Sequence, residues 1–230
     1  MASFDVGVVW RALPYVLLDG LSFTLTLTLL SALGGIVLGI VVALMRISGS
    51  RVLSALAAGY VNLIRSLPLV LVIFWFYFLV PYIAQWITRS PSPVQVGAFS
   101  SALITFTAFE AAYFAEIVRS GINSVGPGQM GAGLAIGLRR WQVLAYVILP
   151  QALRAVLPVM LTQTIILFQD TSLVYVLGLT DLLGAASKIA QRDGRLVEMY
   201  LTAAVIYFAI SLGASYLVRR LRFAGASAAH

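Results

Sequence analysis

Long uncharged stretches dominate the hydrophobic pattern of this chain. Residues 20–45, 66–88 and 199–218 contain no Asp, Glu, Lys or Arg, and each is long enough to cross a bilayer as a helix of about 20 residues. None of them shows the short apolar/polar alternation of a membrane β-barrel. With two further apolar stretches, the pattern predicts transmembrane helices at 20–45, 67–88, 95–118, 144–168 and 197–218. The fold class is therefore an all-α polytopic membrane protein.

The segments between these helices complete the predicted layout. Apolar residues recur at helical spacing between Phe4 and Leu17, which predicts a short interfacial N-terminal segment over 1–19. The link Ser90-Pro91-Ser92-Pro93 excludes a helix, because proline lacks the N–H donor and restricts the residue before it. Residues 121–143 form a Gly-rich connection. No shift of composition marks a domain boundary, so 1–230 is predicted to be one transmembrane domain.

The composition excludes several functions. Hydrophobic residues make up 61% of the chain and charged residues 10%, too few charges for the surface of a soluble domain. Cysteine is absent and the single histidine is His230, so no histidine- or thiolate-based metal or catalytic site is expected. The sequence also lacks the Gly-x-x-x-x-Gly-Lys-Ser/Thr phosphate-binding motif. We expect no cofactor in this chain, and any ATP must be bound by another subunit.

Charges in the connections predict the orientation. On one side of the five helices lie nine arginines: Arg46, Arg51, Arg65, Arg119, Arg139, Arg140, Arg219, Arg220 and Arg222. On the other side five basic residues are offset by acidic ones. The positive-inside rule makes the first side cytoplasmic, with the N-terminus outside, the C-terminus inside and 121–143 in the cytoplasm. The same rule accounts for the net charge of +7, so no nucleic-acid partner is expected.

The most informative motif runs from Gly128 to Pro150, GQMGAGLAIGLRRWQVLAYVILP. Its spacing resembles the cytoplasmic coupling loop of ABC importer permeases, which reads EAA, three residues, Gly, nine residues, Ile-x-Leu-Pro. Here Gly131-Ala132-Gly133 occupies the EAA positions, followed by Gly137 and by Val147-Ile148-Leu149-Pro150. The usual acid is replaced by Gly131. The literal Glu110-Ala111-Ala112 lies inside a predicted span and lacks the required glycine.

The resemblance implies a role in ATPase coupling for one set of residues: Gln129, Gly131, Ala132, Gly133, Gly137, Arg139, Trp141, Leu149 and Pro150. A short helix at about 129–136 would dock into a nucleotide-binding subunit. Gly137 would let the chain turn where a side chain would clash. Trp141 and Leu144 would pack the segment onto the other helices.

Other motifs extend the resemblance over residues 15–220. Arg65-Ser66-Leu67-Pro68 resembles the structural turn before the second span of polar amino-acid ABC permeases, and residues 111–122 resemble their third-span signature. The stretches Phe168–Val176 and Arg192-Asp193-Gly194 resemble permeases of glutamate/aspartate importers most closely. The resemblance implies a type I ABC importer permease-like bundle in a bacterial inner membrane. It also implies an amino-acid substrate, a cytoplasmic ABC ATPase dimer that binds ATP and Mg²⁺, a second permease subunit, and a periplasmic or extracellular solute-binding protein.

Polar residues in or near the spans are the candidates for the substrate pathway: Glu110, Glu116, Arg119, Arg154, Gln163, Asp170, Thr171 and Ser172. Intramembrane charges are costly and commonly functional, but each candidate also has a structural interpretation. Glu110 makes a buried structural hydrogen bond in the permease dimer, or it meets the α-ammonium group of the substrate or a basic neighbour. Glu116 and Arg119, three residues apart, form an ion pair. Arg154 extends to the membrane surface, and Asp170 caps the following segment.

Three alternative functions remain open at this point. A permease for glutamine, arginine or histidine would share these motifs. A secondary amino-acid transporter would lack the coupling pattern, and it would usually show inverted repeats or paired broken helices. A purely structural permease subunit would leave the substrate site to its sister subunit.

Overall fold

The computed structural model describes residues 4–93 and 96–227, with side chains described up to Arg220. Residue 95, at the start of the predicted third span, and His230 lie outside the described residues. Within them the regular structure is helical. The α-helices are α1 (Val6–Tyr15), α2 (Ser22–Arg46), α3 (Arg51–Arg65), α4 (Leu69–Phe74), α5 (Val80–Thr88), α6 (Ala98–Ser124), α7 (Pro127–Ala135), α8 (Arg140–Gln142), α9 (Leu149–Asp170), α10 (Leu182–Asp193) and α11 (Leu196–Ser227).

Five helical stretches in the described part of the chain are long and apolar enough to cross a membrane. They are Val6–Arg46, Leu69–Thr88, Ala98–Ser124, Arg140–Leu177 and Leu196–Arg220. The five predicted spans fall within or nearly coincide with these stretches. The third and fourth stretches are longer than predicted, because helical turns continue past Arg119 and begin at Arg140. The Ser-Pro link at 90–93 is not helical, as predicted.

π-helical turns join several α-helices into continuous stretches. Residues Val16–Leu21 connect α1 to α2, Trp75–Leu79 connect α4 to α5, and Val143–Ile148 connect α8 to α9. The predicted boundary at residue 19 between the N-terminal segment and the first span falls inside one continuous helical stretch. The N-terminal segment continues directly into the first span, because a π turn keeps the backbone hydrogen-bonded across Asp19 and Gly20.

The chain divides into two compact units. The first consists of the stretch before Gly34, of Leu67–Thr107 and of Thr164–Leu217; the second consists of Gly34–Ser66, Ala108–Gln163 and the stretch after Leu217. The first unit holds two apolar clusters, one centred on α10 and one around Phe106 and Leu167. The second holds a cluster around Phe114, Ala115 and Val118 of α6.

Two glycines on α2 allow a close helix approach in the second unit. A Cβ atom on Gly39 would lie 2.7 Å from Phe114 Cβ and 3.1 Å from both Ala111 O and Ala115 N, and one on Gly35 would lie 2.8 Å from Glu110 Cβ. Real Cβ atoms essentially never come within 3.0 Å of another atom, so glycine at these two positions lets α2 pack closely against α6.

A buried carboxylate organises the first unit. Asp181 precedes α10 and accepts hydrogen bonds from the N–H groups of Leu183 (3.0 Å) and Gly184 (3.0 Å). Tyr207 O–H donates to it at 3.5 Å, and Thr24 Oγ1 accepts from Leu182 N–H at 2.9 Å. This is an N-cap in which the carboxylate satisfies two otherwise unpaired helix donors. The signal for this cap is present in the sequence, because an aspartate directly before an apolar helical run is typical of an N-cap.

Asp181 gives the fold a predictable pH dependence. Burial raises its pKa to about 6, against the lowering effect of its hydrogen bonds. The pKa is higher in the folded protein than in the unfolded chain. The free energy of unfolding should therefore fall by at most about 3 kcal/mol as the pH rises from about 4 to 6, and stay level above pH 6. Asp181→Asn keeps an N-cap oxygen but removes the charge. Its thermal midpoint in detergent should change less between pH 5 and pH 7.5 than that of the unmodified protein. Equal changes in the two proteins would contradict this assignment.

Candidate coupling segment and membrane charges

The segment between the third and fourth spans contains two short helices rather than a long loop. Helix α6 ends at Ser124, α7 begins at Pro127, and only Ile136–Arg139 separate α7 from α8. The predicted helix at 129–136 is thus present as Pro127–Ala135, with proline in the first turn, where its missing N–H costs nothing. The predicted coupling connection at 121–143 therefore consists of the last turn of α6, then α7 and α8, joined by short non-helical links.

Gly137 ends α7 in a Schellman motif. The N–H of Gly137 donates to Leu134 O at 3.0 Å, and the N–H of Leu138 donates to Gly133 O at 3.1 Å. Gly137 has φ of +88°, which side chains tolerate poorly, yet nothing lies within 4 Å of the position of a Cβ atom. The glycine is required by the backbone conformation, so the expected side-chain clash is not the reason for it.

Gly133 and Val143 fix α7 against the start of the fourth span. A Cβ atom on Gly133 would lie 2.6 Å from Val143 Cγ2, and Val143 is fully buried. The expectation that Trp141 packs the segment onto the protein is wrong, because Trp141 is 55% exposed and contacts Tyr146, itself exposed. The residue that anchors α7 is instead Val143, whose β-branched side chain faces Gly133, a residue without a side chain.

The remaining coupling candidates lie on either side of this anchor. Gln129, Gly131 and Ala132 are on α7, and nothing lies within 4 Å of a Cβ atom on Gly131. The N–H of Arg139 donates to Gln142 Oε1 at 2.8 Å and so starts α8. Leu149 and Pro150 are the first two residues of α9. Leu134 and Ile136 are exposed, Ile136 by 78%, which leaves apolar side chains at the end of α7 uncovered.

The Arg65-Ser66-Pro68 turn connects α3 to α4. Arg65 is the last residue of α3 and lies over the ring of Tyr113, 5.3 Å from its centroid. Ser66 Oγ donates to Asn62 O at 2.6 Å, and Pro68 precedes the first turn of α4. Tyr60 O–H donates to Ala108 O, which ties α3 to α6. These contacts give the turn a structural role.

Glu116 lies between two arginines. Its carboxylate pairs with Arg119 at 2.7 Å and with Arg46 of α2, and its side chain is 17% exposed. The pair with Arg119 follows the predicted three-residue spacing; the pair with Arg46 was not predicted, since only the fold brings α2 beside α6. One carboxylate between two guanidinium groups leaves this end of the second unit positively charged.

Glu110 is buried on α6. Gln163 of α9 donates its Nε2 to Glu110 Oε1 at 3.2 Å, so two of the pathway candidates lie in contact. The contact joins the two helices within the second unit. Glu110 is thus a buried hydrogen-bonded group within this chain.

The other pathway candidates are spread out. Arg154 is exposed on α9. Asp170 makes no capping hydrogen bond with the 3-10 turn Thr171–Leu177, so its predicted role as a cap is wrong. Thr171 is buried and donates to Phe168 O at 2.7 Å. Ser172 lines a cleft in the first unit with Gln169, Tyr207 and Ser211, and Gln169 Nε2 donates to Ser211 Oγ at 3.0 Å. No group of three or more His, Cys, Asp or Glu side chains in the described ranges is placed to hold a metal ion.

Known proteins resemble this chain over nearly its whole length. Residues 35–223 match the model of the binding-protein-dependent transport system inner membrane component. The glutamate/aspartate import permease protein GltK of Escherichia coli O6:H1 is 48% identical over 222 residues, which cover 96% of this chain and 98% of GltK. The glutamine transport system permease protein GlnP of Escherichia coli K12 is 34% identical and covers 95% and 96%. In the crystal structure of an amino acid ABC transporter with histidines, one chain superposes with a TM-score of 0.84 at 29% identity, covering 95% of this chain and 97% of that one.

The membrane helices, the coupling segment and the similarity to known permeases together define the class of this protein. It is the transmembrane permease of an ABC importer. Such a permease lies in the inner membrane and crosses it several times. This chain belongs to the family of binding-protein-dependent transport system inner membrane components. Membership in this family argues against the secondary transporter considered above.

Proposed function

We propose that this protein is the permease through which an ABC importer moves glutamate and aspartate across the inner membrane. The observation that carries the substrate is the 48% identity to a glutamate/aspartate import permease over 96% of the chain. Identity to the glutamine permease is lower, at 34% over a similar length. The chain moves its substrate by alternating access, with two conformations that differ in affinity and in the side from which the substrate enters.

Energy reaches the permease through α7 and the turn at Gly137. The exposed apolar side chains of Leu134 and Ile136 suit a cleft in a partner protein, because such side chains outside a membrane span favour burial. The Schellman turn and the Gly133–Val143 contact hold α7 rigidly against the start of the fourth span. A displacement of α7 by a partner is therefore transmitted to α9. Gly131 offers no acid to that partner, so the ion pair that an acid at this position would form is absent from the contact.

The assembly contains two permease subunits, either identical or homologous, two cytoplasmic ATPase subunits that bind ATP and Mg²⁺, and a solute-binding protein outside. The chain itself hydrolyses no nucleotide. The arginine bias supports an N-terminus outside and a cytoplasmic α7, since nine basic residues lie on the side of the coupling segment.

Transport in proteoliposomes tests the substrate. The permease is co-purified with its ATPase, any sister permease and its binding protein, and is offered radiolabelled glutamate, aspartate, glutamine and arginine in turn. We expect ATP-dependent uptake of glutamate and aspartate, with glutamine and arginine taken up at least about tenfold more slowly. Uptake of glutamine or arginine alone would overturn the proposed substrate, and uptake driven by an ion gradient without ATP would overturn the mechanism.

A further inference from the structure

A cleft of about 290 Å³ lies between α1 and α10 in the first unit. Its charged lining consists of Arg11 from α1 and Lys188, Arg192 and Asp193 from α10. Ala12 and Ile189, both buried, form part of its apolar wall. We refer to it as the α1–α10 cleft. It plays no part in the transport function proposed above.

The helices that form the cleft place it at the membrane surface. The first span runs from Val6 to Arg46, and 41 helical residues measure about 60 Å, twice the hydrocarbon thickness of about 30 Å. Helix α2, with 25 residues, is sufficient to cross the hydrocarbon. Helix α1 then lies at or beyond the headgroups. Helix α10 belongs to the connection between the fourth and fifth spans, and its charged end, with Lys188, Arg192 and Asp193, directly precedes the start of the fifth span at Leu196.

The cleft carries a net positive charge. Arg192 donates from Nε at 2.7 Å and from Nη2 at 2.9 Å to the two carboxylate oxygens of Asp193. These hydrogen bonds lower the pKa of Asp193, and the charge of Arg11 lowers it further, so the carboxylate stays ionised at neutral pH. Three cations against one anion leave an excess of two positive charges. Lys188 donates to Thr180 Oγ1, which uses one of its three ammonium donors.

Apolar residues beside the cleft distinguish between kinds of anion. Trp10, next to Arg11 in sequence, is 70% exposed, and Leu18, in the π-helical turn that follows α1, is 73% exposed. Tyr15 lines the cleft and is 36% exposed. Tryptophan and tyrosine concentrate at the level of lipid headgroups. A small anion in water would be bound by the basic side chains alone. An anion that carries an acyl chain would also bury that chain against the apolar wall of the cleft and the exposed apolar residues beside it.

We infer that the α1–α10 cleft binds the phosphodiester headgroup of an anionic phospholipid. Arg11, Lys188 and Arg192 contact the phosphate oxygens, and the glycerol and first acyl carbons lie along Ala12 and Ile189. Arginine and lysine side chains bind phosphate oxygens through charge-assisted hydrogen bonds, so a basic cleft beside the headgroups suits such a lipid. A bound lipid would tie α1 to α10 and so stabilise the N-terminal stretch of the first span.

Native mass spectrometry of the delipidated full-length chain tests this inference. The chain is titrated in a neutral detergent with phosphatidylglycerol and, separately, with phosphatidylcholine. We expect one phosphatidylglycerol to bind at least about tenfold more tightly than phosphatidylcholine. The double change Arg11→Gln and Lys188→Gln should weaken phosphatidylglycerol binding at least about tenfold, while Lys188→Arg, which keeps the charge, should retain it.

A matched control removes the same charge elsewhere. Arg51→Gln with Arg219→Gln changes two exposed arginines outside the cleft and should leave phosphatidylglycerol binding within about twofold. An equal loss of phosphatidylglycerol binding in the two double variants would mean that the lipid is attracted by the net charge of the whole chain. That result would overturn the proposed site. Equal binding of phosphatidylcholine would overturn the charge recognition. Displacement of the lipid by inorganic phosphate at the same concentration would make the cleft a site for free anions instead.

Discussion

Gly39→Leu should prevent the second unit from packing. The new Cβ atom would lie 2.7 Å from Phe114 Cβ and 3.1 Å from backbone atoms of Ala111 and Ala115, and the backbone of α6 cannot move aside as a flexible side chain would. Overpacking of a well-packed core costs typically 1–3 kcal/mol, and contact with backbone on two sides places this substitution at about 3 kcal/mol or more. The thermal midpoint of the purified chain in detergent should fall by many degrees, or the chain should fail to accumulate in the membrane.

Gly59→Leu is the matched control. Gly59 lies in the interior of α3, and nothing is within 4 Å of its Cβ position. The same change of residue there removes a poor helix former, which is worth up to about 1 kcal/mol in favour of the helix. Its midpoint should stay level or rise. A similar fall in both variants would show that the loss comes from added hydrophobicity and not from the contact of α2 with α6.

Gly137→Leu should uncouple ATP hydrolysis from transport while the chain still folds. Leucine at φ of +88° costs about 1–2 kcal/mol or more, so the chain leaves the Schellman conformation and the end of α7 loses its fixed direction. Because the turn is exposed and nothing packs against it, the spans are unaffected. We expect the thermal midpoint to change by a few degrees at most and ATP-driven uptake to drop at least about tenfold.

A glycine in another connection separates size from conformation. Gly49 lies between α2 and α3, has no left-handed φ, and has nothing within 4 Å of its Cβ position. Gly49→Leu should retain most of the uptake. Equal loss in Gly49→Leu and Gly137→Leu would contradict a specific role of the turn after α7, and unchanged uptake in Gly137→Leu would contradict it directly.

The sequence was sufficient for the membrane helices and for the turn at Gly137, because both depend on local properties. Uncharged length decides whether a helix crosses a bilayer, and a helix followed by glycine predicts a left-handed end. The boundaries were less predictable. Hydropathy drops at Asp19, yet helical turns continue across it, since a backbone hydrogen-bonded in π or α form tolerates a charge that extends to the surface. The fourth helical stretch begins at Arg140, before the apolar run that predicted its start.

Contacts between distant residues were not predictable from the pattern. Glu116 with Arg119 follows from helical spacing, but Arg46 joins them only because α2 packs on α6. Val143, rather than Trp141, anchors α7, because Gly133 leaves space for a buried β-branched side chain and the larger aromatic residue stays outside. Likewise, Asp181, Thr24 and Tyr207 are far apart in sequence and meet through the fold.

The central claim is that α7 is the contact between this permease and a cytoplasmic ATPase, and cysteine cross-linking tests it most directly. The chain contains no cysteine, so a single introduced thiol reports one position. Gly131→Cys on α7, where nothing is within 4 Å, is compared with Ser92→Cys in the exposed link that precedes α6. A bifunctional thiol reagent should join Gly131→Cys to the ATPase subunit and leave Ser92→Cys unlinked. Cross-linking from Ser92→Cys alone, or from neither position in a complex that hydrolyses ATP, would contradict the account.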